Sequence, residues 1–364
     1  MPMCRCVARR TWVLLLALCV TVVGVSCSRP GAEQKAPAGG ATVNVVDSTG
    51  RTIAVPQPLE RVVVLASQPA EVIAALGCKD RVVGVTEDHV LRDAVTRMVF
   101  QGTPSVGGIR SPSVEKILEL RPQAVISIGG WQEARQAALD LADKLAPHGV
   151  PVICLDCFPD AEVIFRDVTT MGKMFRAEQR AQEYVSFWKE QLDAVAKLVA
   201  QVEPARRVRA YLEVGDHTVT QQGHRMIVAA GGVDICGEVT APARVSPEVV
   251  LEKNPDVIVV RAMPPGILGY GVSDLAKAKS AWEGIMGRPG WGQVNAVKNK
   301  RVHLLAFEIF SAPRAPIGIL WLAKWFYPDL FRDLDPDAVH RQFLERFLSI
   351  KEYPGTFVYP PSMR

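Results

Sequence analysis

The sequence predicts an α/β protein of two Rossmann-like lobes, each with a central parallel sheet, joined by one long bridging helix. Three observations carry that expectation. Strand and helix signals alternate from Val43 to Leu155. A purely helical pattern follows, with neither Gly nor Pro from Arg176 to Gln201. The alternation then resumes from Arg207 to Leu348. Alternating β and α units imply a mostly parallel sheet with helices on both faces. A chain of 364 residues exceeds what one hydrophobic core usually serves, which suits two lobes.

The elements follow in order. Val43 to Val46 and Thr52 to Val55 read as a hairpin turned by Asp47-Ser48-Thr49-Gly50. Val62 to Leu65 is a continuous β-branched run, the mark of a strand buried on both faces. A helix from Glu71 to Leu76 stops at Gly77, and a strand covers Arg81 to Val85. Ser113 to Leu120 is a helix, Ala124 to Ile128 a strand, Ala134 to Ala146 a helix, and Val150 to Leu155 a strand. In the long helix Tyr184, Trp188, Leu192, Val195 and Val199 recur at spacings of 3 and 4, which marks one apolar face. Beyond Pro204 come strands at Arg207 to Val214, Val257 to Val260 and Val302 to Leu305. Helices are expected at Met226 to Ala230, Pro247 to Lys253, Leu320 to Phe326 and Pro336 to Leu348. The run from Ser113 to Ile126 is echoed by Ser246 to Ile258: each is a Ser-started helix with an early Glu, then Pro, then a buried strand. An early Glu suits a helix N-terminus electrostatically.

The N-terminus reads as an export leader. Arg5, Arg9 and Arg10 precede an apolar run from Trp12 to Val25, about 14 residues and short for a membrane span of roughly 20. Cys27 directly after it resembles the lipidated residue of a bacterial lipoprotein, although Gly24 stands where a large aliphatic residue is usual. Ser28 to Ala41 is rich in Pro, Gly and Ala and reads as a tether. The expected organisation is therefore a leader over 1–26, Cys27 and tether over 27–42, a first lobe over 43–174, the bridging helix over 175–203 and a second lobe over 204–364. The net charge of +4 falls to +1 without the three leader arginines, which gives no basic face for nucleic acid. Cys78, Cys154, Cys157 and Cys236 remain in the exported chain, as structural disulfides or buried thiols. Cys154 and Cys157 have redox or metal spacing, but no second pair accompanies them for zinc.

Several motifs in this order resemble the periplasmic binding proteins for ferric siderophores, haem and cobalamin. They are Asp47 to Arg51, Pro58 to Leu65, Ala75-Leu76-Gly77, the two Glu helices, Ala229 to Val233 and Trp291 to Val302. The resemblance covers Val43 to Leu348. It implies capture of a small-molecule metal chelate in an interlobe cleft and its delivery to an ABC permease dimer with its ATPase. It also implies a periplasmic or surface location, attachment to the membrane only through lipid on Cys27, and a monomeric chain. No resident cofactor is expected. The family docks on its permease through one acidic residue per lobe, and by motif these are Glu115 and Glu248. Two exposed carboxylates can meet arginines of a symmetric permease.

In open α/β sheets ligands bind beyond the carboxyl ends of the strands. That directs attention to His89, Trp131, His217, His224, Arg261, Tyr270 and Arg314 as ligand-binding candidates, with Glu308 near the last strand. Trp131 follows two glycines and offers a flat stacking face. A histidine can ligate haem iron or a corrinoid metal. Arg261 suits a chelate carboxylate, and Tyr270 can stack or reach a polar group. An iron chelate leads the ligand expectation, with cobalamin or haem as alternatives. An exported enzyme or a non-transport lipoprotein on the same fold is the rival of another class. No Gly-x-Ser-x-Gly elbow, His-Glu-x-x-His helix, Walker loop or Gly-x-Gly-x-x-Gly fingerprint occurs, so no catalytic residue is expected.

Overall fold

A computed structural model describes residues 41–157, 160–264 and 266–361. The expected leader, the lipidated Cys27 and all but the last two residues of the tether lie outside the described residues. Two sheets carry the fold. In the first, the strands run in the order Val82–Val85, Val62–Val64, Ala124–Ser127 and Val152–Cys154, all parallel. In the second, the order is Val233–Asp234, Arg209–Glu213, Val257–Arg261 and Val302–Leu305, again parallel, closed by the antiparallel Val358–Tyr359. In chain order both sheets therefore read second, first, third, fourth. The echo between the two Glu helices is thus a topological repeat, because each of those helices leads into the third strand of its sheet.

A sheet with this order has a switch point between its first and third strands, where a crevice opens at the carboxyl ends. In the first lobe that point lies between Leu65–Ser67 and Ile128–Trp131. In the second it lies between Val214 and Arg261, whose Nη2 donates to the Val214 carbonyl at 2.9 Å.

The chain passes from one sheet to the other through helices Ala161–Phe175 and Glu178–Val199. The second begins two residues later than its sequence pattern suggests. Arg176 adopts a left-handed conformation (φ 50°), which ends the first helix and turns the chain. The two helices cross closely enough that a Cβ on Gly172 would sit 2.6 Å from that of Ala181, so only glycine fits there. Glu178–Val199 is about 33 Å long. Its buried Tyr184, Phe187 and Trp188 pack on Phe343 and Phe347 of the helix Pro336–Leu348, with centroids 4.8–6.2 Å apart. Arg180 on the same helix donates to the Ala75 carbonyl on one side at 3.1 Å and to that of Arg346 on the other.

Two helices carry no strong sequence pattern: Ala94–Phe100 and Ala276–Met286. The first is set by its cap, since the Asp93 carboxylate accepts from Val95 N at 3.1 Å and Thr96 N at 2.9 Å. The helix Ala315–Phe326 starts earlier than its apolar run suggests, with Pro316 in the first turn. No helix among the described residues is long and apolar enough to cross a membrane.

Cys78, Cys154, Cys157 and Cys236 are all unpaired. The first three are buried. Cys154 and Cys157 belong to separate apolar clusters, so the Cys-x-x-Cys spacing does not form a redox or metal pair.

Candidate functional site

Loops from both lobes meet at the carboxyl ends of the strands around a cavity of 240 Å³. The first lobe contributes Ser67 and Gln68, from the start of helix Ser67–Ala75, and Asp88, His89, Arg92 and Asp93 after the strand Val82–Val85. The second lobe contributes Phe307, Glu308 and Arg314, which follow the strand Val302–Leu305. Phe307 is exposed, and the Arg261 guanidinium lies 5.4 Å from its ring centre.

His89 accepts a hydrogen bond from the Ser67 amide through Nδ1 at 3.0 Å. Burial lowers its proton affinity, against the pull of Asp93 and Asp88. The ring is therefore neutral, and with Nδ1 acting as acceptor its proton sits on Nε2. His89 thus offers the cleft a donor rather than a metal-ligating lone pair. Trp131 stands 6.3 Å from His89, half-buried, with the Arg110 guanidinium 4.7 Å from its ring centre. The geometry brings His89, Phe307, Glu308 and Arg314 onto one cavity wall, with Trp131 next to His89 but not on the wall itself.

Arg314 spans the two lobes. Its side chain is 1% exposed, and Nη2 lies 3.1 Å from Glu71 and 3.2 Å from Asp93 across the interface. Burial opposes its charge, but Glu71, Tyr270 and Asp93 outweigh that and hold it cationic. Glu71, fully enclosed, is pushed up to about 7 by burial, with Arg314 pulling the other way. Glu308 is also raised by burial, and its carboxylate lies against Gly269, where any Cβ would fall 2.3 Å from Oε1.

The other sequence candidates lie elsewhere. Tyr270 bonds His340 Nε2 through its hydroxyl at 2.8 Å, within a cluster of Tyr353 and Phe357, and sits beneath Arg314 rather than on the cavity wall. His217 packs against Trp291 and lies 3.5 Å from the buried Glu213, which Arg288 grips at 2.7 and 2.8 Å. His224 pairs with Asp234 at 3.1 Å and lines a separate 510 Å³ hollow beside the helix Glu178–Val199. Arg225 and Asp160 form an ion pair in that hollow. Glu115 and Glu248 are exposed in the first turns of equivalent helices, one per lobe.

The sequence reading missed Phe307, Asp93, Glu71 and Arg110. Phe307 lies two residues past the strand Val302–Leu305, whereas Asp93 caps the helix Ala94–Phe100 and Glu71 lies inside the helix Ser67–Ala75. Among the described residues no group of three or more His, Cys, Asp or Glu side chains is arranged to hold a metal ion.

Residues 62–308 match the family model described as periplasmic binding protein. The chain is 24% identical over 334 residues to an uncharacterised ABC transporter substrate-binding lipoprotein, YvrC of Bacillus subtilis, covering 88% of this chain and 98% of that one. It is 22% identical over 335 residues to the molybdate-binding protein MolA of Haemophilus influenzae, covering 83% and 90%. Among solved structures it is similar to the TroA-like periplasmic binding protein FepB of Veillonella parvula. That match has a TM-score of 0.71 and 24% identity, and covers 87% of this chain and 99% of that one.

Proposed function

The chain belongs to the periplasmic binding protein family, and on that premise we propose that it is the extracytoplasmic substrate-binding component of an ABC importer. It takes a small metal chelate, foremost a ferric siderophore, into the interlobe cleft and hands it to the permease. One observation carries the reading: side chains of opposite lobes, the His89 donor and Arg92 from one and Phe307 and Arg314 from the other, line a single cavity, with Trp131 standing beside His89. Aromatic faces suit the rings of a chelate, and guanidinium groups suit its negative charge. Glu115 and Glu248 meet the permease, and lipid on Cys27 holds the protein at the membrane. On this reading the cleft supplies recognition rather than chemistry, in keeping with the family's description as binding proteins.

A compact oxyanion is the second reading. The cavity of 240 Å³ favours it, and one relative is named for molybdate. Tryptophan fluorescence of the purified protein, titrated with a ferric tris-catecholate, cyanocobalamin, haem and molybdate, separates the two. Saturable quenching by a chelate, weakened in Trp131→Ala, supports the first reading. A response to molybdate alone replaces it with the second.

A further inference from the structure

Resting on the reading that Trp131 meets the ligand, we propose that Asp156 is a positioning residue: its carboxylate clamps the Gly129–Gly130 turn and so sets where the Trp131 ring stands. Asp156 follows the edge strand Val152–Cys154 and is 8% exposed. Its Oδ1 accepts from Gly129 N at 2.6 Å and from Gly130 N at 2.8 Å. Two consecutive amides converging on one oxygen form an anion-binding concavity, and here the anion is a side chain of the same lobe. Charge-assisted bonds of this kind are stronger than those between neutral groups.

The turn needs such a hold. Trp131 occupies the N-cap position of the helix Gln132–Leu145, and its side chain makes no capping hydrogen bond. The restraint therefore comes from outside the helix. Behind the turn, Gly129 presses on the first hairpin, where a Cβ would fall 2.6 Å from Ser48 Oγ and 3.1 Å from Thr49 Cγ2. That hairpin is itself fixed to the edge strand, because Ser48 N donates to the Cys154 carbonyl at 2.8 Å and Cys154 N donates to Asp47 at 3.3 Å. The glycine turn is thus held on one side by the hairpin and on the other by Asp156. The Trp131 ring, one residue on, inherits that placement between Arg110 and His89.

Asp156→Ala and Asp156→Asn test the clamp, the second keeping an acceptor oxygen if the first unfolds. In ligand-free protein, hydrogen exchange at the Gly129 and Gly130 amides is about tenfold faster in Asp156→Ala and intermediate in Asp156→Asn. The Trp131 indole N–H resonance, assigned by its loss in Trp131→Phe, moves with it. With a ferric tris-catecholate or cyanocobalamin as probe, Asp156→Ala weakens binding about tenfold in the wild-type background and less than about twofold in Trp131→Ala. An equal loss in both backgrounds overturns the proposal, as does wild-type amide exchange with an unmoved indole resonance. If neither probe binds wild-type protein, the binding reading fails, while the exchange and indole measurements still decide the clamp.

Discussion

Arg314 joins the two lobes through a buried guanidinium that meets Glu71 and Asp93, with Arg314 and Glu71 each 1% exposed. Removing one partner of a buried ion pair costs far more than the pair itself contributes. Arg314→Met should therefore lower stability by about 3–5 kcal/mol in chemical denaturation. Adding Glu71→Gln to it should recover part of the loss. Glu71 also gives a pH dependence. Its folded carboxyl holds a proton up to about pH 7, well above the ordinary range near 4.3. The folded state thus binds more protons than the unfolded chain between those values. Its contribution is full below about pH 4 and is lost as pH rises through about 7. Relative to Glu71→Gln, the wild-type melting temperature should fall by a few degrees between pH 5 and pH 8. A difference that stays flat across this range would exclude a raised Glu71. The cysteines give a third residue-scale expectation. Burial pushes Cys154 and Cys236 up to about 12, and it raises Cys78 and Cys157 too. At pH 8, iodoacetamide should label these four thiols slowly in native protein and all four in denaturant. Four unlabelled cysteines in denaturant, freed only by reductant, would mean disulfides instead.

The bridging helix was legible from its apolar spacing because a long uninterrupted face has no competing explanation. Its start was not, because the left-handed Arg176 is a local backbone event with no compositional mark. The helix Ala94–Phe100 was missed because a carboxylate cap, rather than a periodic face, holds it. The helices Val114–Glu119 and Pro247–Lys253 matter for partners. They occupy equivalent places in the two lobes and expose Glu115 and Glu248. Reversing both charges, Glu115→Lys with Glu248→Lys, should abolish uptake in cells while leaving ligand affinity within about twofold, since neither residue lines the cleft. A matching loss of affinity would show that these helices act on the ligand site instead.

At the scale of the whole chain, two sheets of the same order contribute to one cleft, and the helices Ala161–Phe175 and Glu178–Val199 rather than a loop hinge connect them. Arg180, Arg314 and the Arg225–Asp160 pair cross between lobes or brace the helix that joins them. Closure is thus expected to be modest. The architecture could be read from alternating patterns because burial on both faces leaves continuous β-branched runs such as Val62 to Leu65. The cleft could be placed only to its loops. His89 and Arg314 line it and Trp131 stands beside His89, whereas His217, His224 and Tyr270 sit near strand ends but turn toward Glu213, Asp234 and His340. Nothing in a linear spacing distinguishes a strand-end side chain that faces the cleft from one that faces its own lobe. Phe307 escaped notice for the same reason. On this reading both lobes hold one ligand between them. Calorimetric titration with the chelate that quenches fluorescence, on wild type, Trp131→Ala, Phe307→Ala and the double variant, tests it most directly. One site per chain is expected, with affinity reduced about tenfold by each substitution and further by both. Full affinity in Phe307→Ala, or binding unchanged in all three variants, would contradict it.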